Sequence, residues 1–259
     1  MRRFFVAGVI VVSTVSMSSA QKFEFGIDFG YGLGMGDSVG HNSEDDGSGN
    51  HLKWEQVYGG MGNGFKIMAD GTFYINENFG VIAMSGYSWH GGYSTTWQRA
   101  IDGLYVNTDS VTSSYVPVNI GLKFRTKMGK ITPYMYLAPG LYFPKEKKIF
   151  SQVAPGSVLP DETYTYSFST GFGFTAGVGA AIAVSDNIGV KLEITPTYAF
   201  ANVTQYTDQQ AGQPTATYIF KNNTATLPKN PPPNTYYQYD QPRHTFNSVA
   251  LKLGGYIDF

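Results

Sequence analysis

The chain has four histidines and no cysteine, so nucleophilic chemistry would have to run through a hydroxyl set beside an imidazole. Ser88 and His90 stand two residues apart and would share one face of a strand. A serine becomes a nucleophile only with such a base in hydrogen-bond reach, itself oriented by a third group. No acid lies beside this pair in sequence, so no catalytic residue is assigned. The run Glu44-Asp45-Asp46 offers the clustered oxygens that hard cations favour. It lacks the spacing of a calcium loop and reads as a solvated loop tip; no metal site and no cofactor are expected.

The larger charged set lies elsewhere. Glu24, Asp28, Asp70 and Glu193, with Lys66, Lys123, Lys191 and Lys252, each fall on the polar parity of a segment whose other parity is apolar. Residues 23–35 show the pattern most plainly: Phe23, Phe25, Ile27, Phe29, Tyr31, Leu33 and Met35 alternate with glycine, Glu24 and Asp28. A period of two is a strand with one apolar face. Soluble strands run about five or six residues, whereas these segments run ten to twenty, the length of a tilted membrane crossing. Four acids and four bases in one narrow interior imply pairing, because an unpaired charge in a low-dielectric space costs several kcal/mol.

Eight such segments follow from parity and turn signals: about 22–36, 60–75, 79–90, 113–125, 131–143, 163–184, 188–199 and 243–259. The facing of the third is blurred by Ile82 and Met84, and that of the fifth by Pro133 and Pro139, where irregular pairing is anticipated. The connections alternate long and short, the long ones being 37–59, 91–112, 144–162 and 200–242. Long external loops, short periplasmic turns and an even strand number are the layout of an outer-membrane barrel. The fold class is therefore all-β, an eight-stranded antiparallel transmembrane β-barrel with long extracellular loops and short periplasmic turns. An eight-stranded barrel is filled by its side chains, so the charge set reads as a plug that stiffens the wall.

The first twenty residues have their own logic. Met1-Arg2-Arg3, an apolar run to Val12 and small residues ending Ser18-Ser19-Ala20 describe a secretory signal peptide cleaved after Ala20. The domain plan is a signal peptide over 1–20 and a barrel domain over 21–259. With 18 basic and 19 acidic residues, no nucleic-acid partner is implied. Aromatic residues near the segment ends fit interfacial girdles: Phe23, Phe25, Phe73, Phe79, Phe124 and Phe259, with Ile257, toward the periplasm, and Tyr87, Trp89, Tyr164, Tyr166 and Tyr198 toward the outside. The Pro- and Tyr-rich stretch 227–242 reads as a surface loop.

This pattern, and the tail Val249, Leu251, Leu253, Gly255, Ile257 and Phe259, resembles the small bacterial outer-membrane barrels of the OmpA/OmpX type. In that family an alternating tail ending in an aromatic residue is the signal read by the barrel assembly machinery, which the resemblance implies as a partner. The peptidoglycan-binding domain that follows the OmpA barrel has no counterpart, so cell-wall tethering is not implied. The resemblance implies residence in the bacterial outer membrane, contact with lipid and lipopolysaccharide, and a structural or surface-interaction role whose extracellular ligand is unnamed. The alternative is a small porin passing ions or small solutes. Lipid A deacylases of this architecture are similar in placing a Ser and a His two apart, but the order here is reversed and the parity of Ser88 and His90 points inward, so no enzyme is expected.

Overall fold

The computed structural model describes residues 22–35, 63–98, 106–154, 157–158, 161–220, 232–238 and 243–259. The twelve strands are β1 (Lys22–Met35), β2 (Gly64–Tyr74), β3 (Phe79–Gln98), β4 (Val106–Arg125), β5 (Ile131–Ala154), β6 (Ser157–Val158), β7 (Glu162–Phe168), β8 (Gly171–Ala183), β9 (Ile188–Gln210), β10 (Ala216–Phe220), β11 (Thr235–Gln238) and β12 (Arg243–Asp258). Eight staves close a ring. β1 pairs with β2 on one side and β12 on the other, β2 to β5 follow in order, and β8 with β7 bridges β5 to β9, which returns to β12. Every pairing in the ring is antiparallel, and closure leaves no ladder edge within it.

Alternation decides which side of the wall each residue meets. Phe29, Phe65, Ile120, Leu122, Leu137, Val178, Leu192, Leu251 and Leu253 all point outward and are exposed, forming an apolar belt far larger than water-soluble monomers tolerate. On β5 the belt runs from Ile131 to Phe143. That is about 40 Å of strand, which at the tilt usual for such barrels covers about 30 Å along the membrane normal, one hydrocarbon core. The girdle residues Phe79, Phe124, Phe23 and Phe259 sit at one edge of the belt, where Phe79–Phe124 rings are 5.0 Å apart and Phe23–Phe259 6.2 Å. Tyr87, Trp89 and Tyr198 are outward and exposed at the other.

The short turns and the C-terminus gather at the first edge. Asn76 Oδ1 accepts from the backbone N–H of Asn78 at 2.9 Å and of Phe79 at 2.8 Å, an Asx turn that reverses the chain in four residues. Gly129 supplies the positive φ of the next turn, and Asp258 N donates to Asn187 O in the third.

At the far edge the structure departs from expectation. The segments 91–112, 144–162 and 200–242, anticipated as loops, carry strand: β3 and β4 pair as far as Gln98↔Val106, and β5 pairs upward with β7 and β6. Above Arg243↔Asn202, β9 exchanges β12 for β10, to which β11 adds in parallel. Ser, Thr, Val and Tyr dominate these stretches and favour pleated structure when neighbours supply a ladder. A shift between His90 and Tyr93 marks where β3 bends.

The sixth segment, anticipated as one unbroken strand over 163–184, is two strands interrupted at Ser169 and Thr170. Four steps from Phe168 to Phe172 answer only three on β9, from Val203 to Phe200, and four from Ser167 to Gly171 answer three on β5, so the interruption carries the extra residue of a bulge. Facing therefore inverts. Phe172 and Phe174 look outward, while Phe168 packs edge-on against the buried Phe246 ring at 5.3 Å. Tyr166 lies 6.2 Å from the His244 ring; Tyr164 and Tyr166 thus line the extension above the belt and are not part of the outer girdle.

The two doubtful facings are settled by burial. Ile82 and Met84 point inward, against Met68, Tyr134, Tyr136, Ala138, Ala181 and Tyr256. On β5, Tyr134, Tyr136, Ala138 and Tyr142 are inward. The register to β4 is the same on both sides of Pro139, although the ladder lapses between Asn119↔Gly140 and Leu122↔Leu137, because proline has no N–H to give. Residues 1–20 with Ala20, and Glu44, Asp45 and Asp46, lie outside the described residues.

Candidate functional site

The barrel interior holds the chemistry, stacked in layers from the turn end upward. In the lowest layer Glu24, carried by β1, accepts from Lys123 Nζ at 2.5 Å, Arg125 Nη1 at 3.2 Å and the Tyr74 hydroxyl at 2.9 Å. Arg125 Cζ lies 3.3 Å over the Tyr74 ring. A carboxylate with three charged or polar donors and a guanidinium stacked on an aromatic face is well compensated for its burial.

The next layer gathers five strands. Lys191 Nζ sits 3.1 Å from Asp28 Oδ2 and also bridges to Asp70 Oδ1. Lys252 Nζ is 2.5 Å from Glu193 Oε1 and 4.0 Å from Asp28. Glu193 further accepts from Tyr134 at 2.9 Å, Tyr136 at 2.7 Å and Thr195 at 2.6 Å. Side chains this crowded need bare backbone opposite. A Cβ at Gly26 would overlap the Lys191 ammonium, and one at Gly254 the Asp28 carboxylate, which is why the inner parity of β1 and β12 carries glycine here.

Lys66 stands apart. It is buried, yet meets no carboxylate among the described residues; its Nζ donates to Ser248 Oγ at 2.7 Å and Thr197 Oγ1 at 3.4 Å and lies 5.6 Å from the Tyr115 ring centre. Asn119 Nδ2 donates to Thr175 at 2.9 Å and Tyr142 at 3.1 Å. Tyr115, Tyr142, Ala199, Ala201 and Phe246 then close the bore with an apolar layer.

The structure thus brings Glu24, Asp28, Asp70, Lys123, Lys191, Glu193 and Lys252 into two ion networks, and leaves Lys66 outside both. Sequence reasoning missed Arg125, although it shares the parity of Lys123, and missed Tyr74, Tyr134, Tyr136 and Thr195, which complete the shells of the acids. Inward tyrosines are distinguishable from girdle tyrosines only by parity.

Ser88 and His90 are fully buried on the inner wall. The His90 ring stacks on Tyr115 at 5.7 Å and 16°. The register runs from His90 to Ser113 and on to Glu146, so the acid absent from the local sequence arrives two strands away, with serine rather than imidazole between. His244 Nδ1 is 4.0 Å from Glu146 Oε2. Among the described residues no three His, Cys, Asp or Glu side chains could hold a metal ion together. The tail residues Val249, Leu251, Leu253 and Ile257 face outward along β12, and Phe259 ends the chain with its N–H donated to Phe23 O at 2.8 Å.

No curated protein matches the chain in sequence. Among solved structures it is similar to the attachment invasion locus protein Ail of Yersinia pestis, at 14% identity, covering 94% of this chain and 100% of that one with a TM-score of 0.35. Neisserial surface protein A matches at 14% identity over 92% of this chain and 97% of that one, TM-score 0.38, and OprG from Pseudomonas aeruginosa at 8% over 93% and 96%, TM-score 0.46. Residues 4–225 match the family model described as outer membrane protein beta-barrel domain, and the chain belongs to that family of bacterial outer-membrane proteins.

Proposed function

We propose that this outer-membrane barrel is a non-enzymatic structural and surface-interaction protein whose bore is closed to solutes. One observation carries the reading: among the described residues the bore is crossed by buried side chains from the turn end to the Tyr115–Phe246 layer. Glu24, Asp28, Asp70, Lys123, Lys191, Glu193 and Lys252 are each less than 6% exposed and are held in place by cross-barrel pairs. Ions crossing such a bore would have to break buried pairs, each break costing about 3–5 kcal/mol. The full burial of Ser88 and His90, turned away from lipid, supports the absence of lipid chemistry.

The outer contacts fall to the paired extension of β3 to β7, β9, β10 and β11, which rises past the apolar belt toward whatever lies outside the cell. Lipid meets the belt, and lipopolysaccharide the rim. Residues 1–20 act as a signal peptide cleaved after Ala20, and the tail ending in Phe259 is the segment read by the assembly machinery.

Planar-bilayer recording of the refolded mature chain tests the closed bore. Silence, or rare flickers unchanged by Asp70→Asn, fits it; steady openings altered by Asp70→Asn or Lys191→Met would refute it and leave a small porin.

A further inference from the structure

Lys66 is the interior cation that the ion networks do not use. Four carboxylates are taken up by four cations: Glu24 by Lys123 and Arg125, Asp28 and Asp70 by Lys191, Glu193 by Lys252. Lys66, 5% exposed, is a fifth, and its partners among the described residues are hydroxyls and a ring face. A buried ammonium with only neutral partners is among the costliest arrangements a fold can hold.

Beside Lys66 lies a small void of ≈ 10 Å³, room for about one water-sized particle. Its wall is one-sided in chemistry. Lys66 and Lys252 border it with the hydroxyl-bearing Ser88, Tyr115, Thr175, Thr195 and Thr197 and with the apolar Met68 and Pro117, and no carboxylate lines it. Thr195 is spent on Glu193 and Thr175 on Asn119 and Tyr142. Thr197 accepts from Lys66 and keeps its own hydrogen to give. Ser88 Oγ is fully buried and has only the Tyr115 hydroxyl beside it, without a hydrogen bond of ordinary geometry among the described residues. A cation and hydroxyl donors facing one particle-sized space, with no acceptor charge, is the wall of an anion site.

We propose that the barrel holds one monovalent halide-sized anion, chloride in a cell, between Lys66, Ser88 and Thr197, and that this ion is the missing counter-charge of Lys66. The void is sealed above by Tyr115, Tyr142 and Phe246 and below by the Asp28–Lys191–Glu193 layer, so the ion enters as the barrel closes and stabilises the folded form by mass action. It belongs to the closed wall and does not move through it.

The test is urea unfolding and refolding of the mature chain in detergent, in bromide or chloride against gluconate at equal ionic strength. The unfolding midpoint is expected to rise with halide and to saturate, with the rise lost in Lys66→Met and reduced in Ser88→Ala and Thr197→Val. Crystals grown in bromide should show an anomalous peak against Lys66 Nζ. Equal midpoints in halide and gluconate, or a halide increment kept in full by Lys66→Met, would overturn the site. Should Lys66→Met fail to refold, an undiminished increment in both Ser88→Ala and Thr197→Val overturns it equally.

Discussion

Removing one member of an interior pair has a cost set by what it strands. In Lys191→Met, Asp28 and Asp70 lose the ammonium that separates them, and two like charges remain in a dry space. The loss of stability should be about 3–5 kcal/mol, the range for breaking a buried pair from one side, read as a lowered urea midpoint of the refolded barrel. Apolar inner residues obey a different rule. Ile82, 1% exposed between Met68 and Met84, leaves a cavity when cut to alanine, and Ile82→Ala should cost about 2–5 kcal/mol. If it cost as little as a lipid-facing change such as Leu251→Ala, the inward placing of Ile82 would be wrong.

Among the elements, the strands paired above the belt, β7, β9, β10 and β11, form a cap that carries a titrating carboxyl. Tyr166, Tyr206, Tyr218 and Tyr236 lie directly across from one another on β7, β9, β10 and β11, and the Tyr206–Tyr218 rings stack at 4.4 Å and 8°. Stacked cross-strand aromatics hold the added strands to β9. Against them, Asp208 on β9 has its carboxyl held above the ordinary 3.8 by partial burial and by Glu162. Its folded-state value is the higher one, so the cap gains from a protonated Asp208 below about pH 3.8, and that gain disappears as pH rises through the raised value. Asp208→Asn should therefore slow amide exchange in β9 and β10 at pH 7 and change nothing below pH 3.8. An equal effect at both pH values would show that the charge is not its cause.

The whole molecule closes by pairing β1 with β12, the first and last of its described strands. Its last link is Phe259 N to Phe23 O, beside the Phe23–Phe259 ring pair. On the proposed reading of the tail as the assembly signal, deleting Phe259 should lower the amount of barrel recovered in the outer membrane while leaving refolding in detergent largely intact. Equal loss in both settings would make Phe259 a structural residue only.

What the linear order determined by itself is whatever depends on period two. The alternation of Phe23 to Met35 with glycine and acid, and its recurrence in seven further segments, specifies a wall with one face for lipid and one for the bore, and a side chain's parity follows it as long as pairing is regular. Regularity itself is a tertiary matter. The inversion between Phe168 and Phe172 comes from one extra residue at the Ser169–Thr170 interruption, where four steps of this chain answer three on β5 and three on β9, and only the registers of the two neighbouring strands reveal it. The continuation of β3, β4, β5 and β9 beyond the membrane likewise depends on each finding a ladder partner. So does the pairing of the interior: eight charges could be placed inside from parity, but Arg125 joined them and Lys66 left their networks because distance across a closed ring, not position along the chain, decides which charge meets which.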